Sequence, residues 1–146
     1  MNKAVRAIII EDNKVLVMHR NKFGSQYYTL VGGRINNGET PEQALVREVK
    51  EETGMTVTAA TLLYTEKHPL PYNEQFIYMC NVDSHDAVAI QDDSEEGTMN
   101  KYDMNTHQPH WVSPKAFAGL SFRTPQLQQA MVHAFKKGFP KEPIEL

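Results

Sequence analysis

Glu48, Glu51 and Glu52 put three carboxylates into the short segment REVKEETG, residues 47–54. On a helix, positions i, i+3 and i+4 share one face, here an arc of roughly 100°. Like charges at that spacing cost an isolated helix about 0.2–0.5 kcal/mol per pair. Either water solvates such a face, or a cation belongs against it. Carboxylate oxygens are hard donors that suit Mg²⁺, Mn²⁺ or Ca²⁺ and not a soft metal. A dication held there can neutralise pyrophosphate charge and lower the pKa of a water so that it attacks. Arg47, at i, i+4 from Glu51, is spaced to pair with that carboxylate and orient it. Upstream, Gly33 allows a backbone carbonyl to come close, and the start of a helix near Thr40 favours the negative charge of Glu39.

The elements that must hold these groups can be read from the flanking residues. Thr40 is a good N-cap, Pro41 suits the first helical position, and Gln43 completes a capping box. Leu45 and Val49 supply the buried side, and Gly54 provides the stop. Before this helix, segments 4–10 (AVRAIII) and 14–20 (KVLVMHR) predict a hairpin around Glu11-Asp12-Asn13, and 27–32 (YYTLVG) predicts a third strand. After it, strands are expected over 56–65 and 75–82, joined by the proline-bearing loop HPLPYNE. A short strand near Trp111-Val112 leads to a turn at Ser113-Pro114. A terminal helix starts at Thr124-Pro125, carries the apolar stripe Leu127, Ala130, Met131, Ala134 and Phe135, and ends near Gly138 and Pro140. The reading is one α+β domain spanning residues 1–146, with one internal and one terminal helix.

Seen whole, residues 33–55 read GRINNGETPEQALVREVKEETGM. Gly33, five residues, Glu39, seven residues, then Arg47-Glu48-Val49-x-Glu51-Glu52-x-Gly54 resembles the signature of the Nudix hydrolase family at every fixed position. Average residue frequencies put a chance match at roughly 10⁻⁹ per window. The resemblance implies an α/β/α sandwich with a mixed sheet, and hydrolysis of a phosphoanhydride in a nucleoside diphosphate linked to another moiety. It also implies Mg²⁺ or Mn²⁺ held by Glu48, Glu51 and Glu52 with help from the Gly33 carbonyl. In that scheme Glu48 is sometimes assigned as general base, Arg47 positions the cluster, and Glu39 acts peripherally. The rival reading is a non-catalytic, nucleotide-sensing or regulatory module on the same scaffold. Such modules often lose box acids, and all are present here.

Outside the box the signals are separate. Family members often use a further acid, for which Glu95 and Glu96 are the first candidates, followed by Asp92, Asp93 and Asp103. A plain acidic surface loop with no such role is the stronger reading for each of them. His107 and His110, near Trp111, could face the site, but two loop histidines without cysteines make a poor metal signature. Trp111 is expected in the core or beneath the site. Pro69, Pro71 and Tyr72 fall where some subfamilies carry a substrate-specifying proline or tyrosine, while Phe23, Tyr27 and Tyr28 lie where a base or sugar could pack. Val31 replaces the proline that many relatives place before the double glycine, so substrate specificity does not transfer from any one of them.

Composition bounds the rest. At 146 residues, 40% hydrophobic and 23% charged, the chain reads as a soluble globular domain with a core. Its net charge of −3 gives no reason to expect a duplex-binding surface. The single cysteine, Cys80, excludes an internal disulfide and sits in an apolar run, so burial is expected. The N-terminal apolar stretch is too short for a signal peptide or membrane span, which makes a cytoplasmic location the expectation. The expected partner is a small nucleotide derivative, with no nucleic acid and no membrane. The terminal helix and early strands are candidate surfaces for a homodimer.

Overall fold

A computed structural model describes residues 2–84, 90–92 and 105–146, with the backbone alone at 91, 92 and 105. Before the first long helix lie β1 (Lys3–Ile8), β2 (Ile10–Glu11), β3 (Lys14–Lys22), β4 (Ser25–Thr29) and β5 (Val31–Arg34). Then come α1 (Pro41–Thr53), β6 (Thr56–Lys67), β7 (Glu74–Asp83), β8 (Gln91–Asp92) and β9 (Asn105–Val112). The chain closes with α2 (Pro114–Ala118), α3 (Pro125–Lys137) and β10 (Ile144–Glu145).

The first sheet has the order β10-β6-β7-β1-β5 and the second β2-β3-β9-β8, with β4 added on β3. Both are mixed: β1 runs parallel to β7 and β8 parallel to β9, while β1–β5 and β3–β9 are antiparallel. The expected hairpin is therefore split. Only Ile10–Glu11 pairs with β3, through a turn in which Asp12 and Asn13 both take positive φ, while β1 joins the other sheet. The expected strand over 27–32 divides in the same way at Leu30, β4 pairing with β3 and β5 with β1. Alternation of apolar residues marks a strand but does not name its neighbour, so both crossings were invisible to it. A helix, α2, also stands where a turn was expected. Ser113 caps it and Pro114 opens it, signals shared by turns and helix starts.

Two apolar clusters make the layers. Val5 and Ala7 of β1 and Tyr78 and Cys80 of β7 pack with Ala44, Leu45 and Val49 of α1. Ile8 and Ile77, on the alternate positions of the same strands, pack with Phe117 of α2 and Leu127 and Met131 of α3. The sheet is thus sandwiched between helices, as the resemblance implied. Helix α1 forms with the capping box intact: Gln43 N donates to Thr40 Oγ1 (3.1 Å) and Thr40 N to Gln43 Oε1 (2.9 Å). Gly54 ends it in the left-handed conformation. Each fully buried side chain such as Leu45 contributes about 1.5–3 kcal/mol. Tyr78 adds a polar tie, its hydroxyl donating to Glu42 Oε2 (2.9 Å). Cys80 is free and buried, and burial pushes its thiol up to about 12.

Where β5 meets β1, position 32 has no room for a side chain. Gly32 has φ +148°, and a Cβ there would lie 2.0 Å from the Val5 carbonyl oxygen. A Cβ on Gly33 would instead meet the Glu48 carboxyl group at 2.8 Å, a side chain able to swing aside. Gly32→Ala is therefore expected to cost about 3 kcal/mol or more in urea unfolding, and Gly33→Ala markedly less. Equal losses would contradict this account of the contact.

Candidate active site

The acidic face of α1 lies against the backbone of β5. Glu52 Oε1 accepts a hydrogen bond from Gly32 N (2.8 Å), and the Glu48 carboxyl group occupies the space beside Gly33. Residues four apart on a helix lie on one side, which is why the two carboxylates reach adjacent glycines, Glu52 at Gly32 and Glu48 at Gly33. Glu48 keeps only 15% of its side-chain surface exposed, whereas Glu51 keeps 59% and stands at the rim.

Arg47 organises the other flank. Its Nε donates to Glu39 Oε2 (2.7 Å) and its Nη2 to Glu39 Oε1 (3.0 Å), a side-on bidentate pair. Nη1 reaches Glu48 Oε1 (2.9 Å), and Nη2 also donates to the Arg34 carbonyl (2.9 Å). The expected pairing with Glu51 is present but long, at 3.4 Å. Glu39 outcompetes it because a two-point fork with a loop carboxylate is geometrically better than an exposed i, i+4 contact. Arg47 holds the Glu39 carboxyl below its usual range, helped by a hydrogen bond from Asn36 N, and Glu39 in turn holds the Arg47 guanidinium above its own.

Burial dominates at Glu52, which is pushed up to about 7; the neighbouring charge of Glu48 acts in the same direction. The Gly32 N–H and the cations of Arg6 and Arg20 oppose it. The site is thus an acidic pair with one half-buried carboxyl that binds a proton near neutrality, flanked by cations on both sides.

Glu51 and Glu52 line an open cavity of about 310 Å³ together with Met18 of β3 and His107 of β9. A second cavity, of about 290 Å³, is lined by strands of both sheets and by the loop before β7, and includes Arg6, Arg20, Lys22 and Arg123. His107 lines the acidic cavity, which its sequence context gave little reason to expect, with burial and Arg20 depressing its pKa. His110 does not: it is 0% exposed, and its ring stands edge-on to that of His19 in the interior.

The family model for the NUDIX domain matches residues 1–135. The chain belongs to the Nudix hydrolase family. It is 30% identical over 95 residues to the NAD-capped RNA hydrolase NudC of Shigella dysenteriae, covering 65% of this chain and 37% of that protein. To the RNA pyrophosphohydrolase of Psychromonas ingrahamii it is 42% identical over 65 residues, covering 44% of this chain and 36% of the other. The chain thus spans little more than a third of the length of either relative. Among solved structures, an ADP-ribose pyrophosphatase from Streptococcus suis superposes with a TM-score of 0.62 over 99% of this chain and 98% of its own, at 18% identity. That likeness speaks for the fold alone.

Within this Nudix fold the remaining candidates fall apart into groups. Tyr27, Pro69, Pro71 and Tyr72 come together in the basic cavity. Phe23 is 65% exposed at the β3–β4 turn, and Tyr28 packs with the interior cluster. Trp111 packs half-buried against the cluster under α1 and lines a separate cavity with Glu11, Asp12 and Lys14. Asp93, Glu95, Glu96 and Asp103 lie outside the described residues, and Asp92 is described only as backbone in β8. Arg6, Arg20, Lys22 and Arg123 were not singled out from sequence; the alternation of Met18, Arg20 and Lys22 along one strand was the available signal.

The Glu52 carboxyl ionises at about 4.5 when unfolded and about 7 when folded. Between these values the unfolded chain has lost the proton and the native chain keeps it, so rising pH favours unfolding. The benefit of a protonated Glu52 is complete below about pH 4.5 and gone above about pH 7. In chelator-treated protein, stability relative to Glu52→Gln is expected to fall by on the order of 2–3 kcal/mol across that window. Urea titrations of both proteins at several pH values check this, and parallel curves would refute it.

Proposed function

We propose that residues 1–146 act as a single Nudix hydrolase domain that cleaves a phosphoanhydride bond in a nucleoside diphosphate linked to another group, with a divalent cation as cofactor. The observation that carries the reading is the seating of Glu48 and Glu52 against the Gly32-Gly33 backbone.

The residues fit a hard dication. The donors are carboxylate and carbonyl oxygens, and the Glu48 carboxyl group uses space that a side chain at position 33 would fill. Among the described residues no three acidic, imidazole or thiol side chains are arranged as a group that could hold a metal ion by themselves. Mg²⁺ does not require such a group, since it commonly takes one or two carboxylates and leaves other positions to water and substrate phosphates. Glu48 and Glu52 would hold the ion with the Gly33 carbonyl, and Glu51 would join from the rim. When bound, such an ion supplies charge neutralisation at phosphate oxygens and acidifies the attacking water.

The chain's own residues do the rest. Arg47 keeps Glu48 oriented through Nη1 and anchors the loop before α1 through Glu39 and the Arg34 carbonyl. A carboxylate of the cluster, Glu48 in the family scheme, takes the proton as water oxygen bonds to phosphorus and the anhydride oxygen leaves with the second product. Arg6 and Arg20 act on the charge at Glu52 from the opposite side and face an anionic substrate.

The two relatives are named an NAD-capped RNA hydrolase and an RNA pyrophosphohydrolase, so RNA joins free nucleotides among the substrates to be assayed. A panel of nucleoside triphosphates, nucleotide sugars, ADP-ribose, and NAD-capped and triphosphorylated RNA, each with Mg²⁺ and with Mn²⁺, tests the proposal. At least one is expected to turn over, with kcat lower by about 10²-fold or more in Glu52→Gln and Glu48→Gln. Absence of turnover across the panel, or full activity in both variants, would overturn it.

A further inference from the structure

Edge strands expose a row of backbone N–H and C=O groups, and proteins blunt them by covering them, keeping them short or placing charge on them. Most edges of this fold are managed in one of those ways. On β5, Gly32 N donates to Glu52 and the Arg34 carbonyl receives Arg47 Nη2. On β4, Tyr28 N donates to the Ser121 carbonyl, and the Tyr28 carbonyl receives Arg123 N. Strands β2 and β8 have two residues each.

Strand β6 is the exception. It is 12 residues long, and β7 pairs with it from Thr56 to Lys67 on one side. On the other side, among the described residues, β10 pairs only with Tyr64 and Thr65. Residues 56–63, TVTAATLL, therefore present an open edge, and they contain no charge, proline or glycine. Thr58, Ala59, Ala60 and Thr61 are exposed in succession, so neither face of the sheet is covered there. Register shifts lie at Val57/Ala59 and Leu62/Tyr64, and between them Ala59, Ala60, Thr61 and Leu62 keep unbroken register with β7. That regular central stretch is the part best suited to accept another strand.

The margin of this edge on the α1 side is apolar. Val57 and Leu62 are half-buried against the cluster beneath α1. Glu42 of α1 reaches Tyr78 of β7, so Val46, four residues on, lies on the flank of the helix turned away from Gly32-Gly33 and toward β6. Val46 is 42% exposed. The chain's own β10 shows that the outer side of β6 accepts a strand, with Leu146 N donating to the Thr65 carbonyl (2.7 Å).

We propose that the open edge of β6 pairs antiparallel with the same edge of a second copy of this chain, joining the two β6-containing sheets into one continuous sheet across a two-fold axis. An antiparallel strand pairs with itself symmetrically, each copy offering the same residues. Because 56–63 carry no charge, two copies of net charge −3 meet there without like charges in opposition. Among the described residues each copy has one such long open edge, so the pairing closes at two and does not propagate. Val46, Val57 and Leu62 of both copies then border the joint and lose water together. None of this depends on the activity of the α1 site.

Sedimentation equilibrium over a range of concentrations is expected to show the mass rising from 16.6 kDa toward twice that value. Ala60→Lys, which opposes like charges at the joint, is expected to raise the dimer dissociation constant about tenfold or more. Gln129→Lys adds the same charge on α3 and is expected to leave it unchanged. Ala60→Glu alone is expected to weaken the dimer as Ala60→Lys does, and mixing the two variants to restore it as a heterodimer. Thermal unfolding in dilute solution checks that each variant folds. Hydrogen exchange of the unsubstituted protein gives a measurement free of any variant: the outward amides among residues 58–61 are expected to slow as concentration rises. A mass of one chain at every concentration would overturn the proposal and leave the edge to an extended segment of another protein. Growth beyond two copies, undiminished pairing in Ala60→Lys, absence of heterodimer on mixing, or exchange at 58–61 that ignores concentration would overturn it as well.

Discussion

The approach of two helix carboxylates to two glycines organises this molecule. Glu52 accepts the Gly32 amide, and Glu48 fills the space that Gly33 leaves open. Neither contact survives unless α1 lies close against β5, and that closeness comes from apolar burial. Ala44, Leu45 and Val49 pack on Val5, Ala7 and Val31, and the Tyr78–Glu42 hydrogen bond ties the helix to the sheet. The hydrophobic contacts hold the helix near enough that charge must sit beside backbone.

That charge is managed by cations on either flank. Arg47 takes Glu39 with a two-point fork and Glu48 with its remaining nitrogen, leaving Glu51 loosely paired at the rim. Arg6 and Arg20 act on Glu52 without neutralising it, and burial prevails. An acidic site surrounded on all sides by arginines would be quenched; one with no arginine would leave its carboxylates repelling one another. The arrangement lies between these, with a proton-binding carboxyl beside a cation-lined channel.

The splitting of the early strands is what brings the two cavities together. Because the chain crosses between sheets near Ile9 and again at Leu30, β1 and β3 belong to different sheets yet share the cavity containing Arg6, Arg20 and Lys22. A plain three-stranded meander would have left Arg6 on the same sheet as Arg20, with no cleft between sheets. The loop before β7 and the segment before α3 complete the walls with Tyr72 and Arg123.

The local features of the acidic site were legible in the sequence because each is decided within a turn or two of chain. Thr40, Pro41, Gln43 and Gly54 set the bounds of α1, and 3.6-residue geometry alone puts Glu48 and Glu52 on one side. The spacing from Gly33 to Gly54 identified the family, and the order of strands and long helices followed from apolar alternation and caps. What sequence could not decide was which strand lies beside which, since pairing depends on contacts dozens of residues apart. Hence the two sheet crossings, the preference of Arg47 for Glu39 over Glu51, the burial of His110 and the assembly of Arg6, Arg20, Lys22 and Arg123 emerged only in three dimensions. Periodicity reports which residues share a face of one element; only tertiary packing brings the faces of different elements together, and the basic cavity is made entirely of such meetings.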